Sequence, residues 1–339
     1  MNAGQTKVRY LITGGAGFIG SHLSDLLLAE GHDVTVLDNL STGRLHNLDA
    51  AGRMPNFRFV QGSIIDEVLV DKLVHQNDTV VHLAAAVGVR LIVDEPLRSF
   101  STNVRGAEVM IESAHRYRRK ILIASTSEIY GKNEADQLSE TADRVLGSPS
   151  IARWAYSTAK AVDEILATFY YRERGLPMVI ARFFNTVGPR QSAAYGMVIP
   201  RLVRQALVGD PITVYGDGEQ TRCFCHVRDV VSAVRGLLTD DRALGETFNI
   251  GASEEISMLA LAHRIIKHTE SGSTIELVPY EVAFAGRSFE DMRRRVPDTA
   301  KINELLAWKP TRSLDDILDE VVEDARIELS EQAHAAGAG

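Results

Sequence analysis

The sequence has few cysteines and lacks any long apolar run. Its two cysteines, Cys223 and Cys225, stand too close together to close a useful disulfide loop. In a strand, side chains two positions apart share a face, so we expect both residues to be buried or half-buried thiols. No window approaches about 18 consecutive apolar residues, so the sequence predicts no membrane-spanning helix.

An excess of positive charge is also missing. The formal net charge is -8 at pH 7, which argues against a nucleic-acid-binding surface. The first residues, MNAGQTKVRYLIT, run directly into a predicted strand and leave no room for a signal peptide. We therefore expect a cytoplasmic protein without a nucleic-acid or membrane partner, and we predict no metal site.

The first half of the chain alternates short, β-rich apolar runs with longer helical patterns. The predicted strands are Val8–Thr13, Asp33–Asp38, Phe57–Gln61, Thr79–Ala84, Lys120–Ser125 and Met178–Phe183. The predicted helices are Phe18–Glu30, Pro96–Arg118 and Trp154–Arg174. Several strands are apolar almost throughout, as is typical of parallel strands covered on both faces. This alternation indicates an α/β fold with a doubly wound parallel sheet.

The alternation breaks after about residue 183, where Gly-Pro and Tyr-Gly-Asp-Gly turns separate shorter elements. We interpret this part as a smaller C-terminal substrate-binding lobe. The predicted division assigns residues 1–182, with roughly 222–250 returning, to the sheet domain and residues 183–221 and 251–330 to the lobe. Residues 331–339 are expected to form a frayed tail.

A glycine-rich turn in VRYLITGGAGFIGSHL joins the first strand to the first helix. Gly15, Gly17 and Gly20 satisfy the pattern G-x-G-x-x-G, and an overlapping G-x-x-G-x-x-G begins at Gly14. Such glycines let the backbone approach a pyrophosphate, which binds at the N-terminus of the helix in Rossmann-type folds. This context predicts a dinucleotide site.

An aspartate selects between the two nicotinamide dinucleotides. Asp38 ends the second predicted strand 18 residues after Gly20, where a carboxylate can bind a ribose 2′-hydroxyl. The same carboxylate would repel a 2′-phosphate, so we predict NAD, although Arg44 a little downstream leaves NADP open.

The segment RWAYSTAKAVDE supplies a candidate catalytic pair. Tyr156 and Lys160 are four residues apart in a helical pattern and therefore lie on one face. A phenol is a poor base at neutral pH, but a nearby ammonium and a nicotinamide cation favour its phenolate. Such a tyrosine can take a proton from a sugar hydroxyl while hydride leaves the same carbon.

The chain resembles the extended short-chain dehydrogenase/reductases that act on nucleotide sugars. Besides the constellation of Thr126, Tyr156 and Lys160, the segments that match in order are TGGAGFIG, DNLSTG, RFFNTVGPR and TVYGDGEQTR. The resemblance implies that Asn185, Arg190, Tyr215 and Arg222 bind the nucleotide diphosphate of the substrate. It also implies a set of cofactor contacts: Gly14, Gly17, Phe18, Ile19, Gly20, Asp38, Asn39, Ser63, Ile64, Leu83, Ala84, Ala85, Tyr156 and Lys160.

One predicted substrate residue has an alternative role, and one predicted cofactor residue departs from the family pattern. Asn185 can also serve to stabilise a turn. Ser63 stands where such enzymes often have an aspartate that contacts adenine, and we expect this difference to weaken cofactor affinity.

Residues 126–128 of LIASTSEIYG bear on the choice of sugar chemistry. Thr126, Ser127 and Glu128 at the end of the fifth strand most resemble the UDP-glucuronate decarboxylases, also called UDP-xylose synthases. In that reaction, oxidation at C4 makes C6 the carboxylate of a β-keto acid, and loss of CO2 leaves an enolate. The resemblance implies that Glu128 either disfavours the charged ground state or positions a water, and that Arg295 also reaches the site. A solvated basic run over residues 293–295 is the alternative for Arg295.

Several alternatives stay open on the sequence. The product is UDP-xylose if the hydride returns to C4, and UDP-4-keto-pentose if the ketone leaves first. The second candidate function is a nucleotide-sugar 4,6-dehydratase of the GDP-mannose type, and the third is a UDP-sugar 4-epimerase. A non-catalytic NAD-binding scaffold is a fourth. The resemblance further implies a homodimer in which the Pro96–Arg118 and Trp154–Arg174 helices form a four-helix bundle.

Overall fold

The computed structural model describes residues 6–86, 95–193, 197–283, 290 and 292–337. Its centre is a seven-stranded parallel sheet in the order β11-β6-β5-β4-β1-β2-β3. The strands are β1 (Arg9–Thr13), β2 (Asp33–Asp38), β3 (Phe57–Gln61), β4 (Thr79–His82), β5 (Lys120–Thr126), β6 (Met178–Phe183) and β11 (Thr247–Ile250). Strands β1, β4 and β6 are buried along nearly their whole length, because both faces of the sheet are covered.

Helices cover the two faces of the sheet. On one face lie α1 (Phe18–Ala29) and α6 (Val227–Thr239), which pack against each other and share an apolar core with the strands. On the other face lie α2 (Glu67–Gln76), α3 (Pro96–Arg116) and α4 (Ala152–Arg174) over a second core. The carboxyl ends of the strands, where α/β folds bind ligands, thus open between these layers.

A smaller lobe covers this carboxyl edge and has its own core. It contains α5 (Val198–Val208), α7 (Met258–Thr269), α8 (Tyr280–Ala283), α10 (Leu314–Gly337) and three two-stranded sheets. The helix between the last two, α9 (Ala300–Leu306), instead packs on α6 and β11, and its Ile302 joins the first core. The short strands are β7 (Thr186–Val187), β8 (Ile212–Tyr215), β9 (Thr221–Cys223), β10 (Cys225–His226), β12 (Glu255–Ser257) and β13 (Ile275–Val278). Between them, α6 and β11 return to the large sheet, so the chain passes repeatedly from one part to the other.

The predicted α/β fold is confirmed, and the six predicted strands and three predicted helices are present with ends shifted by two residues or fewer. Both cysteines are buried and unpaired, as expected. The frayed tail is wrong for residues 331–337, which continue α10, because EQAHAA consists largely of good helix formers. The boundaries at residues 182, 221 and 250 stay predictions. Within the described ranges no helix is both long and apolar enough to cross a membrane.

Candidate active site

The glycine turn between β1 and α1 forms the floor of the cleft. Gly14 has a φ of +70°, and a Cβ there would lie 2.8 Å from the backbone of Ala84. A Cβ on Gly20 would lie 2.4 Å from the carbonyl oxygen of Gly14, so only glycine permits this close packing. No side chain caps the first turn of α1, which leaves its backbone N–H groups for an anionic ligand.

Asp38 lies at the end of β2 next to this turn. Its two carboxylate oxygens accept hydrogen bonds from the backbone of Ala16 at 3.0 Å and of Leu40 at 2.8 Å. Burial raises the pKa of Asp38 above its ordinary value, although both hydrogen bonds oppose the rise. Arg44, the residue that left NADP open, pairs instead with Glu328 at 2.6 Å. The turn and Asp38 therefore fit NAD, whose ribose 2′-hydroxyl can bind a carboxylate.

The other predicted cofactor residues line the same cleft, whose volume is about 1350 Å³. They are Gly17, Phe18, Ile19, Asn39, Ser63, Ile64, Leu83, Ala84 and Ala85. Ser63 is engaged locally, since its hydroxyl accepts a hydrogen bond of 3.4 Å from the backbone of Ile65. This volume suits two nucleotide ligands placed end to end.

Tyr156 and Lys160 are both buried in the wall that α4 contributes. The phenol of Tyr156 lies near Thr126 at the end of β5. Burial, Glu128 and Asp163 together raise the pKa of Tyr156 above its ordinary value, and the proximity of Thr126 opposes the rise. The ammonium of Lys160 lies 2.8 Å from a carboxylate oxygen of Asp163, with both side chains at most 3% exposed. The structure thus brings the three predicted residues together.

Asp163 was missed by the sequence analysis. It lies three residues after Lys160 and is therefore a helical neighbour, but its burial is not visible in the local pattern. Burial raises the pKa of Asp163, and the ammonium of Lys160 opposes the rise.

A largely buried ionic cluster lines the same cleft as Tyr156. One carboxylate oxygen of Glu128, Oε1, lies 2.9 Å from Nη1 of Arg295 and 3.1 Å from Nη2 of Arg153. Arg295 also donates a hydrogen bond of 3.1 Å to the hydroxyl of Ser127. Burial would raise the pKa of Glu128, but the charges of Arg153 and Arg295 outweigh it and lower that pKa to about 2. Glu128 is therefore a carboxylate at any physiological pH.

The solvated-run interpretation is wrong for Arg295, although it describes its two neighbours. The side chain of Arg295 is 5% exposed, whereas that of Arg293 is 74% exposed and pairs with Asp217. Arg294 is 39% exposed and pairs with Glu255. Only the third arginine of the run is directed into the cleft.

Arg153 was also missed by the sequence analysis. It stands three residues before Tyr156 in the first turn of α4, so the helical period places both residues near one face. The spacing from Tyr156 could have indicated that Arg153 lies near the site. It could not have indicated that Arg153 pairs with Glu128.

The four residues predicted to bind the nucleotide all line the cleft, but they are held differently. Asn185 donates a hydrogen bond of 3.0 Å to the carbonyl of Cys223, which ties two lobe segments together. Arg190 pairs with Asp25 of α1 at 2.8 Å. Arg222 is 8% exposed. The ring of Tyr215 lies under the guanidinium of Arg201, 4.5 Å from its centre, a contact that the sequence did not indicate.

Sequence comparison relates the chain to nucleotide-sugar enzymes. A family model described as GDP-mannose 4,6 dehydratase matches residues 11–321. A UDP-N-acetyl-α-D-glucosaminuronate decarboxylase of Bacillus cytotoxicus is 40% identical over 94% of this chain and 97% of that protein. A UDP-glucuronic acid decarboxylase 1 of Xenopus tropicalis is 35% identical over 97% of this chain and 74% of that protein.

Solved structures with the same fold contain the ligands that this cleft would suit. A dTDP-glucose 4,6-dehydratase of Streptomyces venezuelae with NAD bound has a TM-score of 0.86 and 29% identity over 95% of this chain and 98% of that one. A UDP-glucuronic acid 4-epimerase of Bacillus cereus with UDP-glucuronic acid and NAD has a TM-score of 0.85 and 28% identity over 94% and 99%. From the family model, the decarboxylase relatives and the shared fold, the chain belongs to the extended short-chain dehydrogenase/reductase family of nucleotide-sugar enzymes.

Proposed function

We propose that this protein is an NAD-dependent decarboxylase of UDP-linked uronic acids, with UDP-glucuronate as the substrate and UDP-xylose as the product. The observation that carries the proposal is the ionised Glu128 held by Arg153 and Arg295 opposite Tyr156. A sugar that carries a carboxylate at C6 presents its charge to this cluster when its C4 hydroxyl lies at Tyr156.

The first step is oxidation at C4, for which bound NAD supplies a hydride acceptor. Tyr156 takes the proton of the C4 hydroxyl, with Thr126 beside the phenol. Lys160 stabilises the phenolate, because a neighbouring cation favours the charged form of a phenol. The glycine turn and Asp38 would hold the dinucleotide, in the cleft that Tyr156 also lines.

The second step is loss of CO2 from the resulting β-keto acid. The C5–C6 bond breaks, its electron pair forms the C4–C5 enolate, and C5 is then protonated. The guanidinium of Arg295 and the hydroxyl of Ser127 hold the carboxylate in place before it leaves. A bound dinucleotide that returned the hydride to C4 would give UDP-xylose, so the overall reaction would consume one proton and release CO2.

Glu128 positions the arginines in this mechanism. A carboxylate with a pKa of about 2 is ionised and is a weak base, so it neither donates a proton nor removes one efficiently at neutral pH. This disfavours the dehydratase alternative, which requires acid–base chemistry at C5 and C6. A 4-epimerase of neutral sugars has no C6 carboxylate for the cluster to hold, so the cluster disfavours that form of the third alternative.

A second substrate of the same class is favoured by one observation. The relative that is 40% identical is named for UDP-N-acetylglucosaminuronate, which has an acetamido group at C2 where UDP-glucuronate has a hydroxyl. Both sugars present the same C4 hydroxyl and C6 carboxylate, so the mechanism above applies to either.

The test is incubation of the purified protein with NAD and each uronic acid in turn, with mass spectrometry of the nucleotide sugar. Loss of CO2 from either supports the proposal, and the ratio of kcat/KM values for the two identifies the preferred substrate. The ratio of pentose to keto-pentose product then measures how often the hydride returns. An unchanged mass with a new isomer, or loss of water from GDP-mannose, would replace the proposal with an epimerase or a dehydratase.

The proposed assembly is a homodimer through α3 and α4. Apolar side chains lie exposed at helical spacing on α4, namely Val162, Ile165 and Phe169, and Leu97 and Phe100 lie exposed on α3. Pairing two copies through these faces would bury them in a four-helix bundle. Sedimentation equilibrium tests this, because a mass equal to one chain would exclude it. Two buried, unpaired cysteines are compatible with a cytoplasmic location, which stays a prediction.

A further inference from the structure

Among the residues that the structure describes, two guanidinium groups contact one carboxylate in the ionic cluster at the sugar end of the cleft. Arg153 and Arg295 contact the same oxygen of Glu128, at 3.1 and 2.9 Å, so a single atom holds both guanidiniums side by side. The side chains of Arg153 and Arg295 are 10% and 5% exposed, and both line the cleft.

The position of Arg153 relative to Tyr156 sets which part of a substrate it can reach. The two residues are three apart on α4, which corresponds to an axial rise of about 4.5 Å. A sugar whose C4 hydroxyl lies at the phenol of Tyr156 has its C6 only two bonds from C4. A C6 substituent directed toward the N-terminus of α4 would lie beside its first turn, from which Arg153 reaches Glu128.

We propose that Arg153 is a second carboxylate-binding residue, which together with Arg295 recognises the C6 carboxylate of the substrate and selects uronic acids over neutral sugars. This rests on the proposed function and assigns its specificity to one residue. The contact is provided from the sheet domain by α4, whereas Arg295 approaches from the lobe, so the carboxylate is bound from both sides of the cleft.

Glu128 limits how tightly this pair holds the substrate. A clamp that bound the ground-state carboxylate with full strength would oppose its departure as CO2, since only interactions stronger in the transition state accelerate the reaction. Because Glu128 shares the charge of both guanidiniums, their hold on the substrate carboxylate is weakened. Arg153 thus contributes to recognition and orientation, and its loss should raise KM more than it lowers kcat.

The experiment measures binding without turnover. The Tyr156→Phe protein, saturated with NAD, is titrated calorimetrically with UDP-glucuronate and with UDP-glucose, with and without Arg153→Gln. We expect Arg153→Gln to weaken UDP-glucuronate binding by about 10- to 100-fold, the range of a lost charge-assisted hydrogen bond, and UDP-glucose binding by less than about twofold. Arg153→Lys, which keeps the charge and loses the two-pronged geometry, should give an intermediate loss confined to UDP-glucuronate.

Two controls separate recognition from folding. Arg294→Gln removes an exposed arginine next to Arg295 and should change neither affinity. The NAD content and the midpoint of thermal unfolding show whether Arg153→Gln has folded. If it has not, the affinities of Arg153→Lys for the two ligands test the proposal.

The outcomes distinguish this inference from the proposed function. Equal weakening of both ligands, or no change for UDP-glucuronate, would overturn the role of Arg153 even if the protein decarboxylates UDP-glucuronate. A selective loss for UDP-glucuronate would support that role even if no decarboxylation is found, and the proposed function would then fail alone.

Discussion

Replacing Glu128 by glutamine is expected to destabilise the protein by about 3 kcal/mol at pH 7. The carboxyl of Glu128 has a pKa of about 2 in the folded protein and an ordinary value of 4.5, and a difference of one unit corresponds to about 1.4 kcal/mol. The side chain is only 19% exposed, so solvent screens the pair weakly. Removal of one partner from a buried ion pair costs about 3–5 kcal/mol in other proteins, which agrees with this magnitude.

The loss of stability in Glu128→Gln should depend on pH, and the pKa of Glu128 sets the direction of that dependence. A carboxyl whose folded pKa is depressed stabilises the protein above its unfolded pKa, and this contribution disappears as the pH falls toward the folded pKa. Roughly 1 kcal/mol of it should be gone by pH 3.5, because the unfolded chain by then binds the proton. Glutamine does not titrate, so the difference between the two proteins should shrink between pH 5 and pH 3.5.

The assay is urea unfolding of both proteins at pH 7, 4.5, 4 and 3.5 with the same saturating NAD. Glu246→Gln is a matched control, since Glu246 pairs with Lys301 on the surface and its loss should cost less than about 1 kcal/mol. A difference for Glu128→Gln that stays constant with pH, or that falls below 1 kcal/mol at pH 7, would refute the account of Glu128 as an ionised group held by Arg153 and Arg295.

Four further substitutions test the cleft and the assembly. Tyr156→Phe should leave NAD binding intact and reduce oxidation at C4 by at least about 100-fold, as measured by single-turnover absorbance of NADH. Gly20→Ala should weaken NAD binding about tenfold or more, measured by titration, because its Cβ would overlap the carbonyl of Gly14. Asp163→Asn should move the acidic limb of the rate profile for oxidation by about one unit to lower pH, because loss of that negative charge lowers the pKa of Tyr156. Ile165→Glu should convert the proposed dimer to monomers in sedimentation equilibrium, and Val68→Glu, on exposed surface of α2, should not.

The sheet and the cofactor end of the cleft could be predicted because their signals are local. A buried strand, three glycines and a helix follow one another within 25 residues, and each needs a residue type that the printed sequence shows directly. Asp38 likewise follows from its position at the end of one strand. The chemistry of these residues does not depend on distant parts of the chain.

The ionic cluster could be predicted only in part, because its members are far apart in the sequence. Glu128 and Arg295 are separated by 167 residues, and Arg295 was identified through a resemblance. Arg153 and Asp163 both lie close to Tyr156 in the chain, but a charged residue on a helix is usually solvated. Their burial depends on how α4 packs against β5 and the lobe, which no local pattern contains.

The repeated passage of the chain between the sheet and the lobe constrains how the cleft can open. Residues 184–187, 224–227 and 250–255 each connect the two parts, so a rotation of one part as a rigid body would have to bend several connections together. Substrate exchange is therefore expected through movement of surface loops at the cleft rim, with the two parts fixed.

The same passage of the chain affects what a fragment could keep. A fragment ending at residue 182 would lack the edge strand β11 and the helix α6, and would expose the apolar surface that Val234 and Leu237 now cover. Exchange of a contiguous half at residue 182 would therefore divide the first core, whereas single substitutions in the cleft would leave it intact.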